Sequence, residues 1–313
     1  MSITVVGSVA FDAVKTPFGE RDRMLGGAAT YFALAASFFD QTHVVGRVGP
    51  DFGDDEFAVL AARGTDIANV ERVPDGKTFF WAGEYGWDLN SRETLDTQLG
   101  VFEDFRPRLS DASRDCHVLF LANIQPELQA DVLDQCRSPK FVALDSMNLW
   151  IDIARDALVE VISRVDCVIF NDAELRQLTE RPSLMAAARE VLAMGPSVVV
   201  AKQGEYGAAL LTDGQFFALP AYPLETVVDP TGAGDTFAGG FVGYLARHLD
   251  QAALTEPVLR QAMAYGTALA SFNVEEFGTE RLVRLTAGEV DARVADLRQF
   301  TQFDHVALPL ETT

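Results

Sequence analysis

Short runs of β-branched and apolar residues recur along this chain, separated by stretches of helical spacing, and this alternation constrains the fold more than any other feature. The runs are Ile3-Thr-Val-Val-Gly7, His43-Val-Val-Gly46, Val118-Leu-Phe-Leu-Ala122, Phe141-Val-Ala-Leu-Asp145, Cys167-Val-Ile-Phe-Asn171 and Ser197-Val-Val-Val-Ala-Lys202. Several are apolar almost throughout, as strands buried on both faces are. Helix-like stretches lie between them, over 28–39, 54–63, 127–136, 153–164, 174–178 and 184–194. Repeated strand–helix alternation predicts an α/β fold with a mostly parallel sheet and helices on both faces. With 313 residues, 48% of them apolar, the chain can bury a large core, and one domain over 1–313 is the expectation.

One stretch departs from the alternation. Lys77-Thr-Phe-Phe-Trp-Ala-Gly-Glu-Tyr85, a polar turn from Trp87 to Arg92, and Glu93-Thr-Leu-Asp-Thr-Gln-Leu99 read as a β-hairpin inserted between a helix and a strand. With the segment Asp12 to Arg23 it predicts a small β-sheet beside the main domain, a lid formed by about 12–23 and 77–100. A lid sheet with an apolar outer face would pair with its copy in a homodimer.

The formal net charge is −21, from 25 basic and 46 acidic side chains. A field of that sign repels phosphate backbones and anionic headgroups, so neither nucleic acid nor a membrane is an expected partner. An anionic ligand would need local positive potential from a metal ion, a helix N-terminus or a few placed cations. Cys116, Cys136 and Cys167 are odd in number and widely spaced, which suggests no disulfide framework, and His43, His117, His248 and His305 lack metal-ligand spacing. The chain has no basic leader before its first apolar run and no run of about eighteen apolar residues, so a cytoplasmic protein is expected.

The chemistry concentrates in Asp229-Pro-Thr-Gly-Ala-Gly-Asp-Thr-Phe237. Val227 to Asp229 read as the end of a strand, and Phe237, Phe241, Tyr244, Leu245 and Leu249 follow with helical spacing. The glycines then sit at a helix N-terminus, where free N–H groups and the positive end of the dipole make an anion site without a basic side chain. In the same turn, the carboxylate of Asp235 would only repel a phosphate unless it has a proton to remove from an attacking hydroxyl. Taken alone, the turn also reads as a β–α connection with Asp235 as a cap.

With this run the chain resembles the ribokinase-like (PfkB) family of carbohydrate and nucleoside kinases. The family signature DxTGAGDxF matches Asp229 to Phe237, and the likeness extends over essentially the whole chain. It implies a three-layer α/β/α fold with a small lid sheet, and ATP-dependent transfer of a phosphoryl group to a sugar or nucleoside hydroxyl. By resemblance Asp235 is the catalytic base, and the amides of Gly232, Ala233 and Gly234 hold the transferred phosphate. Gly26 and Gly27, opening a small-residue helix, line the substrate pocket, and Asp12 holds substrate hydroxyls; read alone, Asp12 is a turn residue. The family commonly has Asn where this chain has Tyr31, a side chain that would stack on a ring, narrow the pocket or face the core.

The match continues at Asn171-Asp-Ala-Glu174, which by resemblance organises Mg²⁺ and its waters, with Asn171 beside the nucleotide; the same residues form a capping-box pattern. Lys202 and Gly204 are placed along the nucleotide, although the bare pattern is a hairpin with a solvated lysine. Asp145 to Asn148 resembles a segment facing the phosphates. Ala268, Ser271, Phe272 and Asn273 correspond to the adenine pocket, and simple helix packing accounts for most of them as well. Asp229 and Thr231, with carbonyls near Phe277 and Gly278, match the place where some members bind K⁺; Thr231 also lies in the nucleotide-binding turn. Sugar and nucleoside acceptors stay open, since Phe79, Phe80, Trp81, Tyr85, Trp87 and Tyr31 would either stack a base or form the lid's own core. A non-catalytic nucleotide-binding protein on the same fold is the reading from another class. No GxGxxG follows the first strand and no GxxxxGK[ST] occurs, which disfavours dinucleotide oxidoreductases and Walker-type NTPases.

Overall fold

The computed structural model describes residues 1–249 and 254–303; His305 falls outside the described residues. Its strands are β1 (Ser2–Val6), β2 (Ala10–Thr16), β3 (Gly19–Gly26), β4 (Gln41–Val48), β5 (Asp66–Arg72), β6 (Phe79–Tyr85), β7 (Arg92–Gln98), β8 (Val118–Leu121), β9 (Phe141–Leu144), β10 (Cys167–Asn171), β11 (Val198–Lys202), β12 (Ala208–Leu211) and β13 (Phe216–Leu219). Nine of them form one sheet in the order β13-β12-β11-β10-β9-β8-β1-β4-β5. Its pairings are parallel from β11 to β5, and the hairpin β12–β13 closes the other edge in antiparallel fashion.

Period-2 alternation builds the three layers. In β10, Cys167 and Ile169 point into one core cluster and Val168 and Phe170 into another. The first cluster packs under the helices Ala28–Ala36, Ala233–His248 and Glu256–Asn273, and the second under Pro126–Gln135, Arg155–Ile162, Asp172–Thr179 and Leu184–Met194. The outermost β5 and β13 are largely uncovered, β5 carrying mixed polar and apolar side chains and the four-residue β13 partly exposed apolar ones. The helix expected over 153–164 is Arg155–Ile162, and a further short helix that the sequence reading did not give, Asn148–Ile153, precedes it and ends where Ala154 leaves helical geometry at φ −140.

The smaller sheet has the order β3-β2-β6-β7. β2 and β6 pair in parallel, with Asp12 beside Trp81 and Val14 beside Gly83, and the hairpin β6–β7 sets Tyr85 opposite Arg92. Residues of equal register share a face, so Asp12, Trp81, Tyr85 and Arg92 lie on one side of this sheet. That face packs through Val14, Met24 and Tyr85 onto Phe277 and Val228, beside the Asp229–Phe237 run. The exposed strands β3 and β7 are mostly polar, so the apolar outer face expected of a lid is not what this sheet presents.

Candidate active site

Val227 to Asp229 lie outside any strand, contrary to the sequence reading. Pro223 and Pro230 flank the segment and remove ladder donors. Discrete bonds hold it instead: Val228 N donates to Val274 O at 2.8 Å, and Thr16 Oγ1 donates to Val228 O at 2.9 Å. Asp229, fully buried, accepts the Thr231 amide at 2.9 Å on one carboxylate oxygen and the Gly278 amide at 3.0 Å on the other.

The chain then enters the sixteen-residue helix Ala233–His248 through Gly232, which has φ 75. Glycine is required there twice over. The conformation is left-handed, and a Cβ would lie 2.5 Å from the ring carbons of Tyr31. Asn273 fastens the turn from behind, its Nδ2 donating to Thr231 O at 2.7 Å and its Oδ1 accepting from Thr236 Oγ1 at 3.3 Å. It is wholly buried with both amide ends engaged, so it supports the turn and does not open toward a nucleotide. Ser271 is likewise occupied, donating to Ala268 O and accepting from Arg293.

Asp235 sits in the first turn of this helix, facing the C-terminal ends of the central strands. Asp145 follows β9, Asn171 ends β10 and Lys202 ends β11. Lys202 Nζ lies 2.7 Å from Asp145 Oδ2, with side-chain exposures of 16% and 6%, so the pair is desolvated. A Cβ on Gly234 would lie 3.2 Å from the same Nζ; the space beside the turn is narrow and carries a cation. Burial works against the charge on Lys202, but Asp145, Glu174 and Asp235 outweigh it and push its pKa up. Burial, then the charge of Asp145, pushes Asp235 up to about 7, offset in part by Lys202 and Arg92. Burial and Asp145 likewise raise Glu174 to about 7.

Glu174 and Asn171 form the capping box of the helix Asp172–Thr179: Asn171 N donates to Glu174 Oε2 and Glu174 N to Asn171 Oδ1, both at 2.8 Å. Asn171 therefore spends its amide oxygen on the cap. The donor set still suits Mg²⁺, because it is all oxygen and the carboxylates of Asp145, Glu174 and Asp235 outnumber the nearby cations Lys202 and Arg92.

On the other side of Asp235 lies Asp12, buried and raised to about 7 by burial and by the charges of Asp229 and Asp235. Gly26 admits it, since a Cβ there would fall 2.0 Å from Asp12 Oδ2. Gly27 precedes the helix Ala28–Ala36, whose first amides donate to Ser8. Tyr31 is 1% exposed; it lines no open pocket, and its ring is the floor beneath Gly232. Its hydroxyl has no hydrogen-bond partner, and burial together with Asp12 raises its pKa well above the usual range.

Two residues of the small sheet matter more than the sequence suggested. Tyr85 accepts a hydrogen bond from Thr231 Oγ1 at 3.2 Å, tying the sheet to the signature turn. The charge of Arg92 reaches Asp12, Glu174 and Asp235 and offsets a small part of the upward shift that burial gives each. The available signal was the hairpin itself, whose pairing puts Arg92 opposite Tyr85. At the hairpin tip Asn90 donates to Glu205 at 2.9 Å and lies 3.2 Å from where a Gly204 Cβ would be, so the tip reaches the turn after β11. A groove of about 950 Å³ lined by Met185, Arg189 and Phe216 shares none of these residues.

A doubly covered parallel sheet with an anion-binding helix start, a buried carboxylate and a buried lysine at its strand ends defines a phosphotransferase with an alcohol acceptor. Residues 2–284 match the model of the pfkB family carbohydrate kinases, and the chain belongs to that family. It is 32% identical over 254 residues to a cytidine kinase of Thermococcus kodakarensis, covering 79% of this chain and 89% of that protein. It is also 32% identical over 297 residues to a fructokinase of Klebsiella pneumoniae, covering 86% and 92%. Among solved structures, the Methanocaldococcus jannaschii nucleoside kinase, an archaeal member of the ribokinase family, shares the fold with a TM-score of 0.76 at 20% identity, over 94% of this chain and 98% of that one.

Proposed function

We propose that this chain transfers the γ-phosphoryl group of ATP to a hydroxyl of a sugar or sugar-containing small molecule, with Asp235 as general base. The observation that carries this reading is the convergence of Asp235, in the first turn of one helix, and Lys202, whose Nζ lies against Gly234, at that helix's N-terminus. Asp235 takes the proton of the acceptor hydroxyl as the new O–P bond forms and the β–γ bridging P–O bond breaks, releasing ADP. The amides of Gly232, Ala233 and Gly234 receive the charge that spreads over the transferred group, and Lys202 and Arg92 face it from two sides. Lys202, Gly204, Thr231 and Asn171 line the ATP side, Asp12, Gly26 and Gly27 the acceptor side. Asp12, a carboxylate that can accept from two vicinal hydroxyls, orients the acceptor. Glu174 and Asn171 would hold Mg²⁺, which would supply charge neutralisation at the phosphates. A K⁺ beside Asp229 and Thr231 is proposed on resemblance and is tested by comparing rates in KCl and NaCl.

The small sheet, β2–β3 with β6–β7, serves as the lid of a single domain, and the free thiols of Cys116, Cys136 and Cys167 accord with a cytoplasmic setting. No described helix is long and apolar enough to cross a membrane. A homodimer through the lid would use the open edge of β7 and its exposed Leu95 rather than an apolar face; light scattering decides it. The cytidine kinase relative supports a nucleoside acceptor as the second reading. The intact Asp235 argues against a non-catalytic nucleotide binder.

The test is ADP release by the purified protein with ATP, Mg²⁺ and a panel of pentoses, hexoses and nucleosides. At least one acceptor should be phosphorylated, and Asp235→Asn should lower kcat by roughly 10²- to 10⁴-fold. Wild-type turnover in that variant would remove Asp235 as the base.

A further inference from the structure

We propose that Tyr31 is a positioning residue for phosphoryl transfer: its ring is the spacer that sets how far the anion-binding turn stands off from the loop that lines the acceptor side. The inference rests on the kinase reading above. One residue touches both loops. Its backbone N–H donates to Gly27 O at 3.2 Å, in the first turn of the helix Ala28–Ala36. Its ring lies under Gly232, where a Cβ would fall 2.5 Å from Cγ, Cδ1 and Cδ2. The Gly232, Ala233 and Gly234 amides and Asp235 follow directly on that contact.

The helices Ala28–Ala36 and Ala233–His248 meet in two different ways along their length. Gly239 and Gly243 come seven and eleven residues after Gly232, a spacing that keeps them on the same face of the helix. A Cβ on Gly239 would lie 2.3 Å from Phe32 O, and one on Gly243 would lie 3.1 Å from Ala36 Cα, so there the backbones touch. At Gly232 a flat ring stands between them instead. Carbon atoms in contact sit about 3.5–4.0 Å apart, so the ring holds the start of the second helix off the first by one layer of atoms.

The ring has no room to yield. Tyr31 is 1% exposed and belongs to one cluster with Leu34, Leu269, Phe272 and Leu282. Its hydroxyl has no hydrogen-bond partner among the described residues, so packing of the ring, and nothing polar, fixes the side chain. Its neighbour Phe32 stacks on Phe120 of β8 with centroids 4.1 Å apart and anchors the same helix to the central sheet. A turn that lost this spacer would settle toward the first helix, and a displacement of about 1 Å is enough to cost roughly 10²-fold in rate. The asparagine common at this position in the family carries no such ring.

The experiment uses the full chain with ATP, Mg²⁺ and an acceptor found in the panel above, and measures kcat, both KM values, the far-UV CD spectrum and Tm. Tyr31→Phe keeps the ring and drops the unpartnered hydroxyl; kcat and both KM values should stay within about twofold, with Tm unchanged or higher. Tyr31→Leu fills the core without a flat face and should lower kcat about 10- to 100-fold in folded protein, with KM for ATP within about threefold. Gly232→Ala should lose kcat as well, and adding Tyr31→Ala to it should recover about tenfold, because the new methyl takes the room the ring gave up. The left-handed backbone at Gly232 keeps that recovery partial. Wild-type kcat in Tyr31→Leu, or a loss that only tracks the unfolded fraction seen by CD, overturns the spacer and leaves the kinase reading standing. Loss of acceptor affinity in Tyr31→Phe also overturns it, since the hydroxyl would then be the working group. Absence of transfer by the wild type to every acceptor overturns the kinase reading itself, an outcome that no behaviour of the variants imitates.

Discussion

At pH 8 the carboxylate of Asp235 is ionised in surroundings that favour its protonated form, and this sets both its reactivity and its cost. Its folded pKa of about 7 lies above the ordinary 3.8. The stability linked to the protonated group is complete below about pH 4 and is lost as pH rises through about 7. Asp12 and Glu174, each also raised to about 7, carry the same sign. Without ligands the protein should therefore melt at a lower temperature at pH 8 than at pH 5.5, as calorimetry will record; a higher Tm at pH 8 would refute the burial of these carboxylates. Asp235→Asn removes the ionisation, so the variant predicted to lose most of its activity should gain on the order of 2–5 °C in Tm at pH 8. For activity the sign reverses, because a base must be unprotonated: kcat/KM should fall on the acid side with a midpoint near 7, and a flat profile down to pH 5 would exclude Asp235 from proton transfer.

Among elements, the ends of β9 and β11 are joined through the Asp145–Lys202 pair. Lys202→Met leaves Asp145 buried and uncompensated and should cost roughly 3–5 kcal/mol in urea unfolding, with a raised KM for ATP. Adding Asp145→Asn should restore most of the stability and none of the ATP affinity; recovery of both would make the pair purely structural. The central strands were legible because β1, β8, β9, β10 and β11 are buried on both faces and their sequences are apolar almost throughout. The edge strands β5 and β13 were not: Asp66–Arg72 mixes polar and apolar residues, and Phe216–Leu219 is an apolar run of only four residues whose side chains are mostly uncovered. The signature turn was readable because its parts are contiguous. Arg92 and the Tyr85–Thr231 bond were not, because they meet the turn across about 140 residues of sequence that only the fold brings together. For Tyr31 the sequence left pocket and core open, and the structure takes the core, with the ring beneath Gly232, a matter of one side chain's packing that helical periodicity does not resolve.

For the molecule as a whole, the charge of −21 opposes every anionic ligand at long range, and the cations that overcome it are few and local. Screening by salt should weaken the repulsion more than the short-range contacts with Lys202, so kcat/KM for ATP should rise about two- to tenfold from 10 to 150 mM NaCl. A steep fall over that range would mean that positive steering dominates. The bonds from Thr16 to Val228 and from Tyr85 to Thr231 bear on how such enzymes can be re-engineered. Because the small sheet is bonded to the signature turn and to the residue before it, it is not an exchangeable cassette: a chimera that imports another relative's β2, β3, β6 and β7 must import partners for those two stitches, or the turn will lose its support.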